Sequence, residues 1–354
     1  MSPTALSERA SPLASAPARE LPPAPRRPLY RLVRRALYHV PFLLWRTWHA
    51  LLHPEYPRAP RGVYRRMTRR FEALLERDLQ NVALGLYPER LLRQFSWRDY
   101  AWGTALTEVR PILRRRKENG WHQLPAGVEL ERYPRYYRRA FHWQTDGWLS
   151  ERSSRLYDLS VGFLFRGTTD ATRRQALVPL VRALAGQEAP RVLDVACGNG
   201  RFLAQVQATL PRASLTGLDL SPFYLRHAKE RVPGAEWAEG AAEEMPLPAR
   251  SFDAVTSVYL FHELPHEVRR KVLAEMKRVL KPGGTLVLCD SIQQTDPDTQ
   301  DIAYYLDWFP ALYHEPYYAE YTRDDLGEMA SQAGFEVLSS STHYLSKLVV
   351  ARAP

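Results

Sequence analysis

Residues 192–202, VLDVACGNGRF, restrict the folds open to this 354-residue chain more than any other stretch. An apolar run delivers Asp194, a tight loop carries Gly198 and Gly200, and a helical pattern begins at once. Glycines in such a loop let the backbone turn sharply and approach a ligand that any Cβ would hold off. From about residue 180 onward strand and helix signals alternate, the mark of an α/β protein with a parallel sheet. Strands are expected at 191–195, 214–219, 235–238, 252–258, 284–290, 335–340 and 345–351. Helices are expected at about 170–185, 200–210, 222–232, 264–280 and 322–333. Lys281-Pro282-Gly283-Gly284 stops the helix before the fifth strand and turns the chain into it.

The second strand closes on Asp219, 19 residues after Gly200, where a carboxylate can accept both hydroxyl protons of a ribose. A dinucleotide loop, G-x-G-x-x-G, would carry its third glycine at position 203, which here is Leu203. Asp194 is a poor neighbour for a pyrophosphate and a good one for an ammonium group. An NAD-dependent oxidoreductase is therefore the disfavoured alternative.

VLDVACGNG (192–200) resembles motif I of class I S-adenosylmethionine-dependent methyltransferases, and GLDLS (217–221) the segment ending their second strand. GAAEEMPLPARSFDAV (240–255) resembles their G-D-A-x-x-L-P-F-x-x-x-S-F-D motif, and KPGGTLVL (281–288) their turn into strand five. The likeness covers 185–351 and is closest to the type 11 small-molecule group. That group includes quinone-biosynthesis enzymes and bacterial and plastid members with FHWQTDG and FHELP segments and no assigned substrate. The resemblance implies a Rossmann-like, seven-stranded, mostly parallel sheet in the order 3-2-1-4-5-7-6, behind an N-terminal helical extension. It implies S-adenosyl-L-methionine as cofactor, with Asp194, Ala196, Gly198 and Gly200 around its amino-acid end and Asp219 on its ribose. Leu220, Ala241, Ala242 and Glu243 are expected along the adenine, and Ser257 completes the cofactor set. The family often has Asp where this chain has Ala241, so backbone groups of Ala242 or Glu243 are expected to substitute.

The end of strand four, SVYLFHELPHEV (257–268), faces the mouth of such a site, because ligands gather at the carboxyl ends of the strands. It lacks the motif that holds an exocyclic base nitrogen, and no Pro-Cys pair offers a cytosine-attacking thiol, which argues against a nucleic-acid substrate. His262 and Glu263 are candidates for acid–base work. Two aromatic stretches, 133–150 and 309–321, read as lids or pocket walls. From them His142 joins the catalytic candidates, Asp146 is expected beside it, and Tyr137, His314 and Tyr317 join Tyr259 as substrate contacts. The pairs His142/Asp146, His262/Glu263 and His314/Glu315 do not require a metal, and none is assigned. The expected acceptor is a small, lipophilic or aromatic metabolite, methylated on oxygen or carbon.

Charge is unevenly spread. Residues 1–150 hold 27 Lys and Arg against 13 Asp and Glu, whereas the remainder hold 22 against 26. The first 28 residues, rich in Ala, Pro and Ser, read as a disordered tail. Residues 29–150 read as a basic, mainly helical region and 151–354 as the catalytic domain. Within 29–53, Val33, Leu37, Val40, Leu44, Trp48 and Leu51 form an apolar stripe among arginines. It is too short and charged to span a bilayer, and either packs on the protein or lies on a membrane surface. A membrane-docked, non-catalytic binding protein is thus a further alternative. Only two cysteines, Cys197 and Cys289, fit a cytoplasmic chain without a disulfide scaffold.

Overall fold

The computed structural model describes residues 28–36, 39–40, 43, 61–93, 102–143, 146–297, 299 and 302–354. The expected tail and most of the 37–53 stripe lie outside these residues.

Seven strands form one sheet: β1 Arg191–Val195, β2 Ser214–Asp219, β3 Glu236–Glu239, β4 Phe252–Val258, β5 Leu280–Ser291, β6 Glu336–His343 and β7 Ser346–Arg352. Their order is β3-β2-β1-β4-β5-β7-β6, as the resemblance implied. The first five are parallel, and β7 runs antiparallel to both β5 and β6. Strands covered on both faces read as continuous apolar runs, which is why β1, β4 and β5 carry Val, Leu and Ala without polar alternation. Successive side chains point to opposite faces. Leu193, Val195, Val255 and Leu286 therefore join Val272, Leu273 and Met276 of the helix His266–Val279 in one core. Val192, Ala254 and Val287 join Leu203, Val206, Leu177 and Leu180 in another.

The helix Arg61–Ala83 is anchored to the helix Thr169–Ala183 by an ion pair with no solvent exposure. Arg174 donates Nε–H to Asp78 Oδ1 at 2.8 Å and Nη2–H to Oδ2 at 2.6 Å, a two-pronged contact. Arg174 also donates to the Leu91 carbonyl at 3.0 Å, and Tyr87 donates its hydroxyl to Asp78 Oδ1 at 2.6 Å. Residues 28–36 are helical and add Tyr30, which also donates to Asp78. Arg34, 2% exposed, donates to the carbonyls of Gly167 and Leu92. The face that packs is thus the Tyr30/Arg34 face. Where it is described, the expected apolar stripe faces outward, with Val33 44% and Val40 56% exposed.

Candidate active site

The carboxyl ends of β1, β2 and β4 open onto one cavity. Its floor is the loop after β1. Ala196, Gly198 and Gly200 have φ of 57°, 55° and 77°, a left-handed run that favours residues without a bulky Cβ. A Cβ on Gly200 would lie 3.0 Å from that of Ala228, so the next helix can start only behind glycine. Asp219 holds the loop from the neighbouring strand. Its carboxylate accepts the Gly198 N–H at Oδ2 and the Ser221 N–H at Oδ1, both at 2.8 Å. Burial nevertheless pushes its carboxyl up to about 6.

The cavity is lined by Ala196, Gly198, Leu218, Asp219, Leu220 and Ala242 on the sheet side. Aromatic rings cover the other side. Trp148 has ring centroids of Phe141, Tyr157 and Tyr224 within 5.6, 5.6 and 5.8 Å, and all four residues line the cavity together with Tyr137. The only charged lining residues are acidic, Asp219 and Glu263. Acidic groups and aromatic faces attract a cation and repel a pyrophosphate. Asp219 at the end of β2 suits a ribose diol, and the apolar strip Leu218–Leu220–Ala242 suits a flat base. The residues present therefore fit a sulfonium nucleoside.

Other expected cofactor residues sit farther back. Asp194 is 2% exposed and accepts the Thr256 hydroxyl at 2.7 Å, one layer behind the loop. Burial raises its carboxyl to about 7, against the pull of Thr256 and Arg173. Ser257 donates to the Val195 carbonyl at 3.1 Å and does not line the cavity. Glu243 is held by Tyr136, and neither it nor Ala241 lines the cavity, whereas Gly240 and Ala242 do.

A second chamber adjoins the first and shares Tyr157, Tyr259 and Glu263 with it. Val161, Leu164, Phe165, Phe309 and Tyr318 make it mainly apolar, and His142, His262 and Arg173 add polar groups. His262 Nδ1 lies 2.6 Å from Asp290 Oδ1, at the end of β5, and its Nε2 lies 3.6 Å from Glu263 Oε1. Burial works against its charge, but Asp290, joined by Glu263 and Glu315, outweighs burial and raises the ring from an ordinary 6.5 to about 9. His142, with φ of 52°, stands between two carboxylates, 3.4 Å from Glu263 Oε1 through Nε2 and 3.0 Å from Glu315 Oε1 through Nδ1.

Tyr137 and Tyr259, expected as substrate contacts, both reach a cavity, Tyr137 on the side of Asp219. His314 and Tyr317 reach neither. The His314 ring stacks on Trp121 at 5.7 Å, and the Tyr317 ring lies under the Arg139 guanidinium at 5.1 Å. Their neighbours Glu315 and Tyr318 face inward instead. The segment is two helices, Ala303–Tyr313 and Tyr318–Tyr321, joined by a short turn in which His314 takes φ of 52° and Glu315 is carried inward. Asp146 accepts the Ser150 hydroxyl at 2.7 Å, near the start of the helix Glu151–Leu164, and stands apart from His142. Sequence reasoning missed Arg173, Tyr157 and Asp290, and it named Glu315 only in a pair and Trp148 and Tyr318 only within the two aromatic stretches. Asp290 carried a signal, as an acid at the carboxyl end of a core strand.

A family model described as a methyltransferase domain matches residues 192–284. The chain is 31% identical over 214 residues to an uncharacterized methyltransferase of Synechocystis, covering 58% of this chain and 91% of that protein. It is 36% identical over 190 residues to a ubiquinone/menaquinone biosynthesis C-methyltransferase of Desulfotalea psychrophila, covering 52% and 70%. A demethylmenaquinone methyltransferase of Chlorobaculum tepidum is 39% identical over 131 residues, and the chain spans about half (52%) of its length. Among solved structures, an S-adenosylmethionine-dependent methyltransferase from Aquifex aeolicus aligns at 22% identity and a TM-score of 0.37, covering 50% of this chain and 88% of that one. Glycine loop, closing carboxylate, strand order and relatives agree: this chain belongs to the class I S-adenosylmethionine-dependent methyltransferases. Its cofactor is S-adenosyl-L-methionine, and the dinucleotide and non-catalytic alternatives fall away.

Proposed function

We propose that the enzyme methylates a small, flat, mainly apolar acceptor, on oxygen or carbon. The observation that carries this reading is the second chamber, whose apolar walls meet the cofactor cavity at Tyr157, Tyr259 and Glu263. The cofactor, when bound, supplies an electrophilic methyl group, so the protein's task is to position the acceptor and exclude water. Phe165, Phe309 and Tyr318 would sandwich the acceptor. Asp290 fixes His262 Nδ1 as the proton-bearing nitrogen, which leaves Nε2 to exchange a proton with the acceptor. Glu263 stands 3.6 Å from that nitrogen, and His142 lies on the far side of Glu263 Oε1 at 3.4 Å. Asp194, behind the loop, would stand behind the ammonium at the cofactor's amino-acid end.

Quinone-type acceptors are supported by two relatives, a demethylmenaquinone methyltransferase and a ubiquinone/menaquinone biosynthesis C-methyltransferase. Among the described residues no helix is long and apolar enough to cross a membrane. Exposed Leu29, Leu32 and Val33, beside Arg31 and Arg35, would suit peripheral contact with an anionic lipid surface from which a lipophilic acceptor is drawn. The test is to incubate the enzyme with methyl-labelled cofactor and cell extract, separate lipid from aqueous products, and identify the labelled species by mass. Label found only in protein, nucleic acid or a highly polar metabolite would overturn the reading.

A further inference from the structure

Glu315 is 1% exposed; His142 Nδ1 stands 3.0 Å from its Oε1 without hydrogen-bond geometry, and its Oε2 has no partner among the described residues. Oε2 of Glu263 is likewise buried without one. A carboxylate stripped of water and left without donors costs several kcal/mol, so such groups in native proteins are paired or bind a cation. Among the described residues they share His142 and, less directly, His262, which brings its own partner Asp290. Three carboxylates around two imidazoles leave this buried cluster with a surplus of negative charge even when both rings are protonated.

The three side chains come from three separate segments, and each offers one ligand atom within 4.8 Å of the others. They arrive by unusual backbone. His142 has φ of 52°, as does His314 immediately before Glu315, and Tyr259, shortly before Glu263, has 61°. Non-glycine residues held in that region cost about 1–3 kcal/mol each and collect at functional sites.

We infer that His142, Glu263 and Glu315 form a binding site for one divalent transition-metal ion at the junction of the two chambers. One imidazole nitrogen and two carboxylates suit borderline ions such as Zn²⁺ or Mn²⁺ better than a soft or an all-oxygen-seeking ion. One ligand, Glu263, lines both cavities, and His142 lines the second, so the ion's open positions would face the acceptor. There it would hold an acceptor oxygen and favour its deprotonated form. That role rests on the proposed acceptor chamber; the ion site itself does not. Bound, the ion would also join the 141–143 turn, the 261–263 turn and the segment after the helix Ala303–Tyr313.

The test uses full-length protein stripped with a chelator and titrated with Mn²⁺, free ion being read by electron paramagnetic resonance, with Zn²⁺ as competitor. About one ion per chain is expected. Glu315→Gln should weaken binding by about 100-fold or more, since outer-shell changes alone cost 10–100-fold. Cofactor affinity measured calorimetrically should stay at the wild-type value in the same variant, which separates loss of the ion from misfolding. If Glu315→Gln does not fold, His142→Asn serves, because Asn tolerates the left-handed backbone. Equal Mn²⁺ and Zn²⁺ affinities in wild type and variant, or no binding by wild type, would overturn the site. The labelled-methyl experiment would still stand on its own.

Discussion

Tyr136 donates its phenolic hydrogen between the two carboxylate oxygens of Glu243, 2.8 Å from each. The contact latches the 133–143 segment to the turn after β3, directly over the end of the cavity assigned to the adenine. A hydrogen bond to a carboxylate is worth about 1.5–3 kcal/mol. Tyr136→Phe keeps the ring and removes the latch. Cofactor dissociation is expected to accelerate about tenfold, raising KM for the cofactor more than it lowers kcat. Stopped-flow fluorescence of the nearby Trp148 would read the rate, and an unchanged rate would remove the latch from the account.

Asp219 does two things at once, accepting the Gly198 and Ser221 N–H groups and facing the cavity. Asp219→Ala removes the ribose acceptor and leaves two N–H groups without partners. Cofactor affinity should fall by about 100-fold, the cost of losing charge-assisted hydrogen bonds in a dry site. Calorimetric titration with the demethylated cofactor product checks it, and wild-type affinity in the variant would refute the ribose contact.

Burial lifts the carboxyls of Asp219 to about 6 and Asp194 to about 7 from an ordinary 3.8. Between the ordinary value and these raised ones, the native state keeps protons that the unfolded chain has released. The contribution of these two groups to cofactor-free stability therefore declines as pH rises through that window. A cationic ligand favours their ionised forms. The rise in Tm caused by S-adenosylmethionine is thus expected to be larger at about pH 8 than at about pH 5.5. Affinity should drop by up to about tenfold per pH unit below Asp219's value. Melting curves with and without ligand at both pH values give the comparison; a larger shift at the acid end would contradict it.

The Asp78–Arg174 pair is fully buried, so breaking it from one side leaves an uncompensated charge. Asp78→Ala should cost about 3–5 kcal/mol, seen as a lower midpoint of urea unfolding. Replacing both partners with Leu should cost much less. Equal losses in the single and double variants would show that the pair is not the main bond between these helices.

The cofactor half of the protein was legible because its chemistry sits in consecutive residues. Gly198, Gly200 and Asp219 each follow a strand whose apolar run announces it, and strand order follows from the resemblance those motifs carry. The acceptor half was not legible in the same way. Tyr157, Arg173 and Tyr318 are ordinary residues on helices, and only the packing of those helices turns them inward. His314 and Tyr317 looked as good as Glu315 and Tyr318 because all four lie in or beside the turn between two helices, and composition does not fix which side chains of a turn face inward. His142, Glu263 and Glu315 each belonged to a different His–acid pair in the sequence; folding selected one member from each.

Tyr136, Tyr137, Phe141 and Trp148, which roof the cavity, all precede the 192–284 stretch that defines the family. The second chamber likewise takes Phe165, Phe309 and Tyr318 from outside that stretch, and Tyr259, His262 and Glu263 from within it. The walls that meet a reactant are thereby divided between lengths of gene, and those outside the shared stretch can vary while the glycine loop stays the same.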